Sequence, residues 1–282
     1  MRHTEADWMD RPTNMLSLYE DSALAAAGLV IDSPGLPYSP MPTPTYRVVD
    51  AGTWKLHQPF ICAAPGYFTP PRPLSWVNTI LFRDGIAWMS LTPIEIESQM
   101  PHLAASHGVV VVCGLGLGVM AYAVSALRAV TRVIVIERDS EVIAAFRQFT
   151  DFETWPQRAK VEIIEGDARE VRVDGVDFLY ADIWPFYRMD CMIPDMQAIH
   201  RNIPAPACGY WGQELDMVDE AVARGVTVDD FGADHIRDFA SRHRLPLIGL
   251  EQPDYPRLCR MAATNPAISI RRKEVATPAR AS

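Results

Sequence analysis

VVVVCGLGLGVMAY, residues 109–122, joins a run of β-branched residues to three alternating glycines and then to a helix-compatible apolar segment. Four consecutive valines suit a parallel strand buried on both faces, because such strands are continuously apolar rather than alternating. Gly114, Gly116 and Gly118 let the backbone turn tightly and approach a ligand, at the point where a following helix presents unpaired N–H groups. The uncharged run from Val109 to Leu127 is also long enough for a membrane span. Three glycines near its middle would weaken a lone helix, however, and the next segment is patterned as a second strand.

Strands and helices alternate from Val109 onward, the signature of βαβ units. After the glycine turn and a helix over about Met120–Ala129, VIVI at 133–136 forms a second strand ending at Glu137. Asp139 and Ser140 then cap the helix EVIAAFRQF. Glu137 stands about twenty residues beyond the glycine turn, where nucleotide-binding α/β folds place a carboxylate on the ribose hydroxyls. A third strand, Val161–Ile164, runs into Gly166-Asp167-Ala168, and a fourth, Phe178–Ala181, into Asp182-Ile183-Trp184-Pro185. In open parallel sheets ligands bind beyond the carboxyl ends of the strands, so Glu137, Asp167 and Asp182 at three successive ends outline one site. Further on, the pattern predicts a helix over Met192–Asn202, a fifth strand over Gly209–Gln213 leading to Glu214, helices over Leu215–Arg224 and Asp230–Arg242, and closing strands at Leu247–Leu250 and Arg257–Ala262.

Upstream, Met1 to about Met41 is irregular, with a helical candidate at Met15–Ala27 and the proline-rich DSPGLPYSPMPTP. Short strands are expected over Tyr46–Leu56, Pro59–Ala64 and Trp76–Ser90, the last folded into a hairpin at Asp84-Gly85. Thr92-Pro93-Ile94-Glu95 then starts a helix to about Ser106 with a capping box, read as a helix packed on the sheet or as one lining the ligand mouth with Glu97 or Gln99, and with His102 and His107 as surface or capping residues. The tail from Arg271 has a disordered composition. The fold class is therefore α/β, a Rossmann-like doubly wound, mostly parallel sheet with a small N-terminal β-rich extension. Its expected parts are an arm over 1–45, a hairpin region and lead-in helix over 46–103, the Rossmann-like domain over 104–270 and a tail over 271–282.

With 49% hydrophobic and 22% charged residues, the 282-residue chain can bury a sizeable core. No charged start followed by an apolar h-region suggests a secretory signal. Five scattered cysteines without CxxC or Cys/His spacing argue for a reducing, cytoplasmic setting and no metal site. A net charge of −9 works against a nucleic-acid partner. No membrane partner is expected, and a homo-oligomer is left open.

Val119 stands where the dinucleotide fingerprint needs its third glycine, and no P-loop lysine follows. VVVVCGLGLG, VIVIERDSEVI, VEIIEGDARE and DFLYADIWP instead resemble the successive motifs of the class I S-adenosylmethionine-dependent methyltransferases, over about residues 104–215. The resemblance implies S-adenosylmethionine as cofactor. It places Gly114, Gly116 and Gly118 against the methionine and ribose portion, Glu137 on the ribose hydroxyls, Asp167 with Ala168 beside the adenine, and Asp182 where the acceptor meets the methyl group. Trp184, Tyr187 and Gln99 are candidates for the acceptor walls. LFRDGIAWMS and PIEIESQMPHLA ahead of the glycine strand are similar to the N-terminal approach of spermidine synthases, with Asp182 at their catalytic aspartate. Trp88 replaces a cofactor-binding glutamine of that family, and its tyrosine-containing helix motif and longer aspartate-rich loop are missing. The implied activity is methyl transfer to a small-molecule or protein acceptor. Aminopropyl transfer from decarboxylated S-adenosylmethionine and a non-catalytic binding module are the alternatives.

Overall fold

A computed structural model describes residues 41–48, 50–58, 62–64, 66–68, 72–74, 79–266 and 268. The helical candidate at Met15–Ala27, the arm before residue 41 and the tail from Arg271 lie outside them.

Six short strands come first: β1 (Asp50–Ala51), β2 (Trp54–His57), β3 (Cys62–Ala64), β4 (Arg72–Leu74), β5 (Ile80–Arg83) and β6 (Ile86–Ser90). They form a four-stranded antiparallel sheet in the order β1-β2-β5-β6 and a separate β3-β4 pair. Asp84 and Gly85 turn the β5–β6 hairpin with φ of 50° and 80°, the two positive values that a tight twisted turn demands. Tyr46 does not continue into β1 as expected. It bridges to Thr150, and its hydroxyl donates to the Leu117 carbonyl at 2.9 Å, tying the N-terminal region to the glycine turn.

Helix α1 (Pro93–Ala105) follows with Thr92 at its N-cap and proline in its first turn. The expected capping box does not form: the Thr92 hydroxyl pairs with Ser90 Oγ at 2.7 Å, so it is spent on the hairpin rather than on the helix. Then come β7 (Gly108–Cys113), α2 (Val119–Ala126), β8 (Val130–Glu137), α3 (Ser140–Phe149), β9 (Val161–Glu165), β10 (Phe178–Ala181), α4 (Met192–Asn202), β11 (Ala207–Tyr210), α5 (Gln213–Ala223), α6 (Ala233–His243) and α7 (Tyr255–Thr264). Asp139 caps α3 through bonds from the Glu141 and Val142 N–H groups, as its position before the apolar repeat predicts.

Strands β7 to β11 make one five-stranded sheet in the order β11-β10-β7-β8-β9, with every pairing parallel. The chain starts in the middle, winds outward to β9, then returns to the other side of β7. This doubly wound, Rossmann-like order puts the switch point between β7 and β10, where ligands bind in such sheets. Val110 to Cys113, Val133 to Ile136 and Phe178 to Ala181 are all at most 2% exposed, as strands covered by helices on both faces require. One apolar core runs from Trp54, Leu56 and Leu81 of the antiparallel sheet into these strands.

Three expectations near the C-terminus need correction. The fifth strand ends at Tyr210, so Glu214 stands in the first turn of α5 rather than beyond a strand. Leu247 makes only a single parallel bridge to Cys208. Arg257–Ala262 is helical, because Tyr255, Leu258, Cys259 and Ala262 are the buried positions and repeat at the spacing of one helix face. Among the described residues, no helix is long and apolar enough to cross a membrane.

Candidate functional site

At the carboxyl edge of the parallel sheet each strand continues its hydrogen bonding one step into the loop beyond it. Gly114 N–H donates to the Ile136 carbonyl at 2.8 Å, Asp182 N–H to Cys113 at 2.8 Å, Gly166 N–H to Glu137 at 2.9 Å and Trp211 N–H to Ala181 at 2.9 Å. These bonds fix four loops around one cleft. Gly114, Gly116, Glu137, Asp167, Ala168, Asp182, Trp184 and Gln99 all line it.

Gly114 has φ of 97°, and a Cβ there would fall 2.1 Å from the Asp182 carbonyl oxygen, so the glycine brings the first and fourth loops into contact. At Gly116 a Cβ would fall 2.6 Å from Met89 Sδ, the sulfur that also lies 3.2 Å from the Leu117 N–H. The hairpin thus lies over the turn. Gly118 is placed differently: it stands at the N-cap of α2 and packs against Phe146, outside the cleft lining.

Glu137 accepts the Leu115 N–H on one carboxylate oxygen and the Asp139 N–H on the other, both at 2.9 Å. Each oxygen retains a further lone pair for a ligand hydroxyl. Asp167 is held by Arg169, whose backbone N–H and Nε both donate to Oδ1 at 2.9 Å and whose second terminal nitrogen meets Oδ2. That hydrogen-bonded guanidinium keeps the carboxyl down at about 2. A ligand amine beside Asp167 would therefore share a carboxylate already engaged by a cation.

Asp182 is half-buried in the cleft, and burial pushes its carboxyl up to about 7. Trp184 is 5% exposed, with its indole N–H tied to Asp195 Oδ2 at 2.9 Å. Tyr187 lies behind the wall rather than in it, its ring 3.9 Å from that of Trp211 and against Gly212. Trp88 lines the cleft and meets Trp54 edge-on at 5.8 Å.

Two lining residues, Tyr180 and Trp211, escape a reading that looks for acids at strand ends. The available signal is alternation, since Tyr180 and Asp182 are two apart along an extended chain and share a side. His102 is the larger surprise. It is fully buried rather than at the surface, with its ring 4.6 Å from Tyr180 and its Nδ1 2.3 Å from where a Cβ on Gly209 would sit. Helix α1 is covered on nearly all sides, which is why Glu97, Ser98, Gln99 and His102 are each 0% exposed. Burial holds His102 down at about 3. His107, by contrast, is exposed, as expected, with Nδ1 3.0 Å from the Ala105 carbonyl.

Beneath the cleft, Glu214 accepts Tyr255 OH at 2.7 Å and Tyr67 OH at 3.2 Å, and its Oε1 lies 3.8 Å from His102 Nε2. Burial pushes Glu214 up to about 7 and Asp216 up to about 6. These groups set a pH dependence of stability. Between about pH 4.5 and pH 6, Glu214, Asp216 and Asp182 hold protons in the folded state that the unfolded chain has released. His102 and His243, both lowered, work the other way, and Asp167 acts only below this window. The balance leaves the folded state with more bound protons, so stability falls as pH rises, by on the order of 1 kcal/mol per pH unit. Urea unfolding should give a higher midpoint at pH 5 than at pH 7.5, and Glu214→Gln should flatten the slope. A midpoint that stays level or rises toward pH 7.5 contradicts the assignment.

No family model matches the sequence, and no curated protein matches it. Among solved structures the chain is similar to a spermidine synthase in complex with the transition-state analogue AdoDATO (20% identity, 44% of this chain and 45% of that one, TM-score 0.32). Spermidine synthase from Thermotoga maritima gives 19% identity, 44% and 46% coverage and a TM-score of 0.33. A methyltransferase from Geobacter sulfurreducens gives 23% identity, 40% and 57% coverage and a TM-score of 0.30. The match spans less than half of either spermidine synthase chain. The solved structures found alike are mostly methyltransferases, with spermidine synthases beside them.

Proposed function

We propose that the protein is an S-adenosylmethionine-dependent methyltransferase. The observation that carries this reading is the junction at the switch point, where Gly114 brings the turn after β7 against the backbone of Asp182, with Glu137 on the neighbouring strand end. The residues fit the cofactor. Glu137 keeps lone pairs for two ribose hydroxyls, the turn permits close backbone approach, and Val119 removes the glycine that a dinucleotide requires. Bound there, S-adenosylmethionine would supply an electrophilic methyl group on a positively charged sulfur.

The chain's own task is then to orient the nucleophile and take its proton. Asp182 does this at the junction, and the buried tryptophans around it exclude water. Orientation of this kind supplies up to about 7–11 kcal/mol in well-aligned systems.

Titration calorimetry with S-adenosylmethionine, decarboxylated S-adenosylmethionine, S-adenosylhomocysteine, methylthioadenosine and NAD tests the reading. The first and third should bind, and NAD should not. Glu137→Ala should weaken S-adenosylmethionine by about 1.5–3 kcal/mol, the range for hydrogen bonds to a charged group. Unchanged affinity in that variant overturns the cofactor assignment, and preferred binding of the decarboxylated donor reassigns the transferred group.

A further inference from the structure

The cleft is lined by two polar side chains that the protein itself leaves unsatisfied. Gln99 on α1 and Tyr180 on β10 are both 0% exposed and both line the cleft that holds Asp182. Neither the amide oxygen nor the amide nitrogen of Gln99 has a hydrogen-bond partner, and the Tyr180 hydroxyl has none. Buried polar groups are nearly always paired, because leaving them unpaired forfeits their hydration without return. Three such atoms lining one cleft form a recognition edge: one acceptor, one donor and one hydroxyl able to act as either.

The surroundings of this edge restrict what it can take. Of the cleft's three arginines, Arg83 is held by Asp139, Arg169 is held by Asp167, and Arg138 acts on the same Asp167 carboxylate. Behind Tyr180 lies His102, whose burial keeps it uncharged. A carboxylate or phosphate would therefore meet no free cation there and would face the carboxyls of Asp182 and of the buried Glu95, which also lines the cleft. The walls are indoles in fixed orientation. Trp184 has its N–H tied to Asp195 at 2.9 Å and Trp211 has its N–H tied to Ser98 Oγ at 3.0 Å, so what remains for a ligand is ring surface. Ring surface of this kind suits flat molecules.

We propose that Gln99 and Tyr180 are the acceptor-recognition residues of this cleft, and that the acceptor is a small, planar molecule without negative charge, presenting a hydrogen-bond donor and acceptor side by side. The proposal rests on the methyltransferase reading for the direction in which the molecule faces Asp182, but its recognition chemistry does not. Benzamide is the minimal probe, compared with benzoate, each titrated by ligand-observed NMR with and without saturating S-adenosylhomocysteine. Benzamide should bind at least about tenfold more tightly than benzoate. Gln99→Met should weaken it about tenfold or more, and Tyr180→Phe should weaken it less. S-adenosylhomocysteine affinity should stay unchanged in both variants, which also reports that they fold. Tyr180→Phe removes a single oxygen and keeps the test decisive if Gln99→Met does not fold. Benzoate binding as well as benzamide, no benzamide binding at all, or benzamide affinity indifferent to the variants overturns the proposal. Should the wild-type protein fail to bind S-adenosylhomocysteine while benzamide binding still depends on Gln99, the methyl-donor reading falls and the recognition edge stands.

Discussion

Replacing Gly114 with alanine is expected to destabilise the protein by about 3 kcal/mol or more and to abolish binding at the switch-point cleft. Two costs combine. At φ of 97° the backbone lies where L side chains rarely go, and the added Cβ would meet the Asp182 carbonyl oxygen at 2.1 Å. The obstacle is backbone and cannot swing aside. Asp182 is held by its N–H bond to the Cys113 carbonyl at 2.8 Å, and Ala181 just before it accepts the Trp211 N–H at 2.9 Å. Relief therefore means pulling β10 away from β7 at the edge where the site is formed. Gly175→Ala is the matched control: its φ of 71° is also positive, but nothing lies within 4 Å of the added Cβ, so only the conformational cost of about 1 kcal/mol applies. Urea unfolding of the two variants separates close approach from local conformation. A Gly114→Ala protein no less stable than Gly175→Ala would mean that the first and fourth loops are not in contact.

The part of this architecture legible in the sequence is the part dictated by local chemistry. Four successive valines favour a strand buried on both faces over the membrane span their length also allows, because the alternating glycines after them favour a turn. VIVIE with Asp139 two residues later gave both the second strand and the cap of α3, and the span predicted for α4 is the one observed. What escaped depends on tertiary context. Arg257–Ala262 looks strand-like as a six-residue window, and only with Tyr255 included does the helical spacing emerge. His102 looked like a helix-end surface residue because nothing near it in sequence shows that α5, β10 and β11 close around α1. Gln99 was named for the acceptor wall from its place on the lead-in helix, yet its unpaired amide becomes visible only once the chain has folded around it. Gly118 and Tyr187 carry the opposite lesson. Both belong to motifs that point at the site, and both pack behind it, against Phe146 and Trp211.

Asp182→Asn should lower turnover by about 10²- to 10⁴-fold while leaving S-adenosylmethionine affinity within a few-fold of wild type. The substitution keeps size and hydrogen-bonding capacity and removes only the ability to accept a proton. The wild-type rate should carry the same signature. Burial disfavours the charged carboxylate and puts Asp182 at about 7, so the competent, ionised form accumulates as pH rises through that value. Activity should then fall about tenfold for each pH unit below 7, and the Asp182→Asn protein should lack that limb. The same burial makes an opposite prediction for stability. A carboxyl whose folded value is raised from 3.8 to about 7 destabilises the folded state wherever it must be ionised, so at pH 7.5 Asp182→Asn should be more resistant to urea than the wild type. A residue retained only for packing would not pair a loss of rate with a gain of stability. A group held for its proton chemistry at the expense of folding does so, in line with the general opposition between active-site function and stability. Should the variant prove both active and no more stable, Asp182 is neither a base nor strained by its burial, and proton removal must be sought at another side chain of the cleft.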